Sequence, residues 1–433
     1  MNEAPPPDIL PFPPDTETRG VLVGFSGGLD SGVLLHLLAR QPAMRERGLR
    51  AIHVHHGLHA DADAWTEHCR EVCLSLDVPL RVVHVEVDRD SGQGIEAAAR
   101  AARRRAFTEA LSENEILALA HHQDDQAETF LLRALRASGT DGLAAMHPWR
   151  RFGHAWLWRP LLETPRSALL AYAQAHGLRW IDDPSNSNVD HDRNFLRHRV
   201  LPLLRERWPE PEAALARSAQ LSGETRTLLE EGDATALASA RTLDPQALSV
   251  PRLLALPHAR RARVLRRWIE SLVLPPLPAQ GVSQIETVLL TAADDRESEF
   301  AWHGAVIRRW RDLLHASVQC APLPEDWHVT WDGRAPLVLP AGDSLFLEGA
   351  NGFESPLEAG TRLGGERIVL PGRAHSHALK HVLQDLGVPP WERERLPILR
   401  DTAGEVQAAG DLVYSATFDA WLRANGARLC WAH

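Results

Sequence analysis

Two serines, two glycines and an aspartate stand together in Ser26-Gly27-Gly28-Leu29-Asp30-Ser31, between an apolar run (20–25) and a leucine-rich run (33–38). A glycine pair in such a turn lets backbone N–H groups approach an anion closely, because glycine lacks a Cβ and tolerates left-handed conformations. The N–H groups that open a following helix add a favourable field of roughly 0.3–1 kcal/mol per anionic group. Ser26 and Ser31 can donate further hydrogen bonds. A Walker A loop would place a lysine after the glycines to reach the terminal phosphates; Leu29 and Asp30 occupy that place. A carboxylate beside a nucleotide repels it unless a divalent cation intervenes, so Asp30 indicates a site bridged by Mg2+, directly or indirectly. The dinucleotide fingerprint Gly-x-Gly-x-x-Gly cannot be laid over residues 24–32. A glycine turn with no ligand is the bland alternative.

The elements that must position this loop follow from periodicity. Short β-rich runs at 20–25, 49–57, 80–87 and 115–122 alternate with helical patterns that carry Leu34, Leu35, Leu37 and Leu38, then span 61–76, 94–111 and 124–136. That alternation predicts an α/β fold: a Rossmann-like parallel sheet with helices on both faces, which binds ligands at the carboxyl ends of its strands. Beyond it, 166–176 reads as helix, 182–194 as a polar loop, and 195–245 as mainly helical. The proline-rich 274–281 interrupts a helical, arginine-rich middle section, and from about 325 short β-like runs indicate a small α+β unit. The expected organisation is a disordered leader (1–18), a catalytic domain (19–205), a helical domain (206–325) and an α+β domain (326–433).

Composition narrows the classes. The 433 residues include only four cysteines, Cys69, Cys73, Cys320 and Cys430, too scattered for a disulfide framework and lacking the second pair a structural zinc site would need. No apolar run approaches the length of about 18 residues expected of a spanning helix, and the proline-rich start lacks the form of a signal peptide. A cytoplasmic protein with no membrane association is expected. The net charge of −10 argues against a polyanion partner, yet basic clusters occur at 100–105, 258–268 and 308–311, so such contact would be patchwise.

"SGGLDS" resembles the pyrophosphate loop of N-type ATP pyrophosphatases, which adenylate a substrate and release pyrophosphate. "HVHHGLHADADAW" (53–65), "GIEAAARAARRRAF" (94–107), "LALAHHQDDQAETFLLRALRASGTDGLAAM" (117–146), "RPLLETPR" (159–166), "WIDDPSNSNVDHDRNFLRHRVLPLL" (180–204) and "LGGERIVLPGRAHSHALKHVLQDLGVPPWERERLPIL" (363–399) resemble isoleucine-tRNA lysidine synthetases, in order along most of the chain. The resemblance implies that ATP activates the C2 oxygen of the wobble cytidine, position 34, in an isoleucine tRNA with a CAU anticodon. Free L-lysine then attacks C2 through its ε-amine and AMP leaves, which changes codon reading from AUG to AUA. ATP and Mg2+ are the implied cofactors, tRNA and lysine the implied partners, with no obligate protein partner. A cytidine thiolase normally carries clustered cysteines, which are lacking; an inactive nucleotide- or RNA-binding relative is the alternative from another class.

Under that resemblance, Ser26, Gly27, Gly28, Leu29, Asp30 and Ser31 bind ATP, and the backbone near Val54 borders the adenosine. Arg100, with Arg103 second, neutralises the triphosphate; a solvated helix face would look the same. Asp125 and Glu128, three apart on one helix face, suit a cationic lysine, and His122 positions or accepts a proton. Capping by Asp124 or Asp125 is the plain alternative, with Asp124 expected to be partly structural and His121 equally a packed strand-end residue. Arg193, Asn194, Arg197 and His198 could contact phosphate or the flipped cytidine, or belong to a polar linker. Arg266, Arg267, Arg308 and Arg309, beside Trp268 and Trp310, could bind the tRNA backbone or cover the outer face of amphipathic helices.

Overall fold

The computed structural model describes residues 7–12, 20–88, 94–291 and 298–432. The chain divides into two compact units, 1–231 and 232–433. In the first unit β1 (Gly20–Gly24), α1 (Leu29–Ala39), α2 (Pro42–Glu46), β2 (Leu49–His55), α3 (Ala62–Ser75), β3 (Leu80–His84), α4 (Ile95–Ala110), β4 (Glu115–Ala118) and α5 (Gln123–Leu135) alternate as expected. After α6 (Thr140–Leu143), a hairpin of β5 (Trp149–Phe152) and β6 (Ala155–Trp158) completes a sheet of order β3-β2-β1-β4-β6-β5. All neighbours are parallel except the β5–β6 pair at the edge. The hairpin, short and rich in tryptophan, is not apparent from periodicity.

Side chains alternate across β1: Val21 and Val23 enter one buried cluster with Leu34, Leu38, Cys69 and Leu169, while Leu22 enters the other with Ala106, Phe107 and Leu117. This period of two buries both faces of the sheet under helices, as parallel strands require. The ladders stop at His55, His84 and Ala118, short of the expected 57, 87 and 122. The chain beyond each strand turns into the loops at the carboxyl edge. Strand order reverses between β1 and β4, and that switch point is where an open α/β sheet places its ligand crevice.

The leader expected over 1–18 is corrected for residues 7–12, which dock on this unit. Leu10 N donates to the Pro160 carbonyl (2.9 Å) and Thr164 Oγ1 to that of Asp8 (3.2 Å). Phe12 lies 4.5 Å from Trp158, with Arg47 over its ring. Proline favours an extended path, and the aromatic ring supplies the anchor that composition alone does not predict. Residues 1–6 and 13–18 lie outside the described residues.

Following α7 (Arg166–Ala175), α8 (Asp192–Phe195), a π-helical turn (Leu196–Val200) and α9 (Leu201–Arg207), the long α10 spans Pro211–Ala240. The second unit holds α11 (Val250–Leu254) and α12 (His258–Ser271), packed with an antiparallel sheet of β7 (Ala247–Ser249), β10 (Leu313–Val318), β9 (Ala305–Trp310) and β8 (Ser298–Trp302). The middle section is thus helical over most of its length and closes in strands. Further on, strands at 328–331, 357–360, 398–400, 406–409 and 413–414 form a sheet whose core includes Phe418 and Leu422 of a helix at Ala416–Asn425.

Candidate active site

The pyrophosphate-type loop joins β1 to α1. Gly27 adopts φ +85°, and a Cβ there would stand 2.7 Å from Ile181 Cδ1 and 3.0 Å from Cys69 Sγ, so glycine is required twice over. Its carbonyl accepts from Ile181 N (2.9 Å), which ties the loop to the polar segment after α7. Ser26 Oγ and Ser31 Oγ lie 3.0 Å apart, and Ser31 Oγ donates to the Gly28 carbonyl (3.1 Å). Gly28 caps α1 with no side-chain hydrogen bond, so the first N–H groups of this 11-residue helix are available to an anion. Val54 is buried in β2, leaving only its backbone for the ligand side.

Across the switch point, α5 starts at His122, which is buried to 1% exposure. Its Nε2 lies 3.6 Å from Asp30 Oδ2 and 3.5 Å from Asp125 Oδ2; its Nδ1 lies 3.8 Å from Asp124 Oδ1. Burial, the largest single influence, favours the neutral ring. The carboxylates of Asp125, Asp30 and Asp124 outweigh it and hold the His122 pKa above its usual value. Burial likewise pushes the Asp125 carboxyl up, but His122, His121, Arg193 and Arg197 together bring it below the usual range. Asp30 Oδ1 is buried with no hydrogen-bond partner, its nearest cation being Arg166 Nε at 3.8 Å. An orphaned carboxylate oxygen beside a phosphate-binding helix end fits a divalent cation.

The helix cap is shared between the two aspartates. His122 N donates to Asp125 Oδ2 (3.2 Å), closing α5 onto itself, whereas Asp124 Oδ1 accepts from Arg166 N (3.0 Å) and caps α7 instead. Asp124 also faces Arg205 (3.6 Å), which in turn grips Glu212 (2.6 Å).

Glu128 is not the open carboxylate expected for a cationic ligand. It is fully buried and takes both Nε (2.7 Å) and Nη2 (3.1 Å) of Arg197, with Arg193 Nε 3.1 Å away. Burial pushes the Glu128 carboxyl up against the pull of these guanidiniums. Arg197 Nη2 also reaches Asp125 Oδ1 (3.4 Å), and Arg193 Nη2 donates to Thr129 Oγ1 (2.8 Å). The helix-face spacing of Asp125 and Glu128 holds, but the partners come from 65–72 residues downstream, where sequence spacing carries no signal.

Asn194 and His198, expected at nucleic-acid contacts, also support the polar loop. Asn194 Nδ2 donates to the carbonyls of Ser185 and Asn188, and His198 Nε2 to that of Asn186, closing the polar loop on itself. Arg100 and Arg103 are exposed on α4. In the second unit Arg309 is buried in β9 and donates to the carbonyls of Leu289 and Leu290, so it is a core residue rather than a surface cation. Arg308 pairs with Glu299 (2.8 Å) and covers Trp391; Arg266 is exposed and Arg267 half-buried on α12. Two further residues of the site lie in "RPLLETPR": Arg166, beside Asp30, and Arg159, whose Nε donates to His121 Nδ1 (3.3 Å). The sequence signal is position: Arg159 directly follows β6 at the carboxyl edge, and Arg166 opens the next helix.

A phosphate-binding helix end, an orphaned carboxylate and a buried histidine–aspartate pair at the switch point define a nucleotide-activating enzyme of the pyrophosphate-loop class. A family model described as a PP-loop domain matches residues 8–204, a TilS substrate binding domain matches 248–315, and a TilS substrate C-terminal domain matches 357–431. The chain is 57% identical to the tRNA(Ile)-lysidine synthase of Xanthomonas axonopodis pv. citri, over 97% of this chain and 96% of that protein. It is 51% identical to the Xylella fastidiosa protein of that name, over 98% of both, and 42% identical to the Yersinia pseudotuberculosis one, over 96% and 93%. The chain belongs to the tRNA(Ile)-lysidine synthase family.

Proposed function

We propose that this chain joins free L-lysine to C2 of the wobble cytidine in a CAU-anticodon isoleucine tRNA, using ATP. The observation that carries the reading is the approach of Asp30, in the phosphate loop, to His122 and Asp125 across the switch point. This brings a nucleotide-holding group and a proton-handling pair to one place. The N–H groups of α1, Ser26 and Ser31 hold the leaving pyrophosphate while the C2 oxygen attacks the α-phosphate. Asp30, with its orphaned oxygen, would hold Mg2+, whose charge offsets that of the triphosphate. Arg100 and Arg103 contribute to the same neutralisation.

Asp125 holds the incoming lysine amine, and His122 in its neutral form accepts the proton that the amine loses as it attacks C2. AMP departs with the former C2 oxygen. Glu128 acts through Arg193 and Arg197, positioning both guanidiniums over the site. Arg266, exposed on α12, and the half-buried Arg267 contact the tRNA backbone.

The test uses purified protein, ATP, Mg2+, labelled lysine and the CAU isoleucine tRNA. Label entering the tRNA, dependent on ATP and abolished by Asp30→Ala, is expected. Absence of label together with ATP–pyrophosphate exchange on another acceptor refutes the proposal.

A further inference from the structure

Arg159, one residue past β6, is buried to 6% exposure, yet among the described residues it meets no carboxylate. Its Nε donates to His121 Nδ1 (3.3 Å) and its Nη1 to the His147 carbonyl (2.6 Å), both neutral acceptors. A buried guanidinium normally has an anionic partner, because desolvating the charge costs several kcal/mol that neutral acceptors only partly return. Its surroundings make the charge less welcome still. Arg150, on β5, sits opposite Leu157 of β6, and Arg104, on α4, lies over the ring of Phe152 in β5 (5.5 Å). Arg133 donates to the carbonyls of Gly142 and Ala145. None of these arginines forms an ion pair among the described residues. Burial first, and then repulsion from Arg150, Arg100 and Arg133, lowers the Arg159 pKa to about 10. Other arginines near the site are matched: Arg193 and Arg197 by Glu128, Arg205 by Asp124 and Glu212.

We propose that Arg159, with Arg150, forms a pocket that takes a backbone phosphate of the RNA substrate, next to the nucleotide that reacts. The bonded His121 places the pocket one residue from His122 and thus beside the chemistry. Because Nδ1 of His121 accepts from Arg159, the ring proton sits on Nε2, and the neutral ring is a second donor to the same anion. A phosphate there would supply the missing counter-charge and fix the register of the strand whose base enters the site, as backbone contacts do for nucleic acids generally. The inference rests on the proposed function for the identity of the RNA. Phosphate could also come from ATP, so the experiment separates the two sources.

Binding of the CAU isoleucine tRNA is measured against salt for the wild type, Arg150→Gln and Arg159→Gln, alongside KM for ATP in lysine ligation and a thermal melt. Each substitution is expected to reduce the slope of log affinity against log salt by up to about 0.7, which is about fivefold weaker binding at 0.1 M salt relative to 1 M. KM for ATP should stay unchanged. A raised KM for ATP with an unchanged tRNA slope assigns the phosphate to the nucleotide and overturns the inference. Unchanged values for both also overturn it. Arg150 is exposed, so it decides the matter even where Arg159→Gln fails to fold. Failure of the wild type to ligate lysine would instead overturn the proposed function, which keeps the two failures distinct.

Discussion

Replacing Glu128 by glutamine tests whether this carboxylate holds arginines or a substrate. Removing one partner of a buried ion pair costs about 3–5 kcal/mol, because the other charge is left uncompensated. Two features reduce that figure here. Glutamine keeps an oxygen acceptor for Arg197, which also retains Asp125 at 3.4 Å, and the Arg193 and Arg197 side chains are 32% and 30% exposed to water. The expected loss is therefore about 2 kcal/mol. In a unit of this size each kcal/mol moves Tm by about 2–4 °C, so a fall of about 4–8 °C is expected. Adding Arg197→Met to Glu128→Gln should restore about 1 kcal/mol, since the double variant leaves one fewer unpaired charge. Thermal unfolding followed by circular dichroism gives the stabilities, and steady-state ligation gives KM for lysine and for tRNA. Loss of stability with a raised KM for tRNA fits the arginine-holding role. An unchanged Tm together with a raised KM for lysine alone would refute it and return Glu128 to the substrate.

The raised pKa of His122 means that the charged ring stabilises the fold fully below the unfolded value of about 6.5, and that this contribution is lost as pH rises through the folded value. Ligation should rise over the same window as the neutral base appears, and Asp125→Asn should move the rise to lower pH; a profile that Asp125→Asn leaves in place would count against His122 as the base. Gly27→Ala should cost about 2–4 kcal/mol from its left-handed φ and the clash with Ile181, read as a lowered Tm and lost ATP–pyrophosphate exchange. Phe12→Ala should lower Tm through loss of its contacts with Trp149 and Trp158, by about 1–2 kcal/mol for a partly exposed ring; an unchanged melt would show that the 7–12 segment contributes nothing. Arg309→Met should lower Tm while leaving tRNA affinity and its salt dependence unaltered, the reverse of what a surface phosphate contact would give.

The sheet was legible because a parallel strand buried on both faces and the helix that covers it leave different periods in the sequence. Leu22 and Val23 fall to opposite faces by counting alone, and Leu34, Leu35 and Leu38 of α1 join the cluster that Val23 enters. The loop chemistry was legible for a related reason: Ser26 to Ser31 form their hydrogen bonds within six residues. What spacing could not supply was the partner of each charge. Asp125 and Glu128 share a face, but only the fold brings Arg197 to both and leaves Asp125 the more open of the two. Arg309 looked like a surface cation in an arginine-rich run, and the strand pairing that buries it depends on Leu313 to Val318 folding back beside it.

Net charge misleads about this molecule for the same reason. With 57 acidic and 47 basic side chains, the chain as a whole repels polyanions. That repulsion is screened beyond about 8 Å at physiological salt, so a bound phosphate responds chiefly to the groups within that distance. Two acids of the site are already committed: Asp124 caps α7, and Glu128 is closed by two arginines. The arginines around Arg159 are not so matched. A sequence can therefore be acidic overall while an arginine near its site is left without an acidic partner, because the fold, and not the composition, sets the pairing of charges.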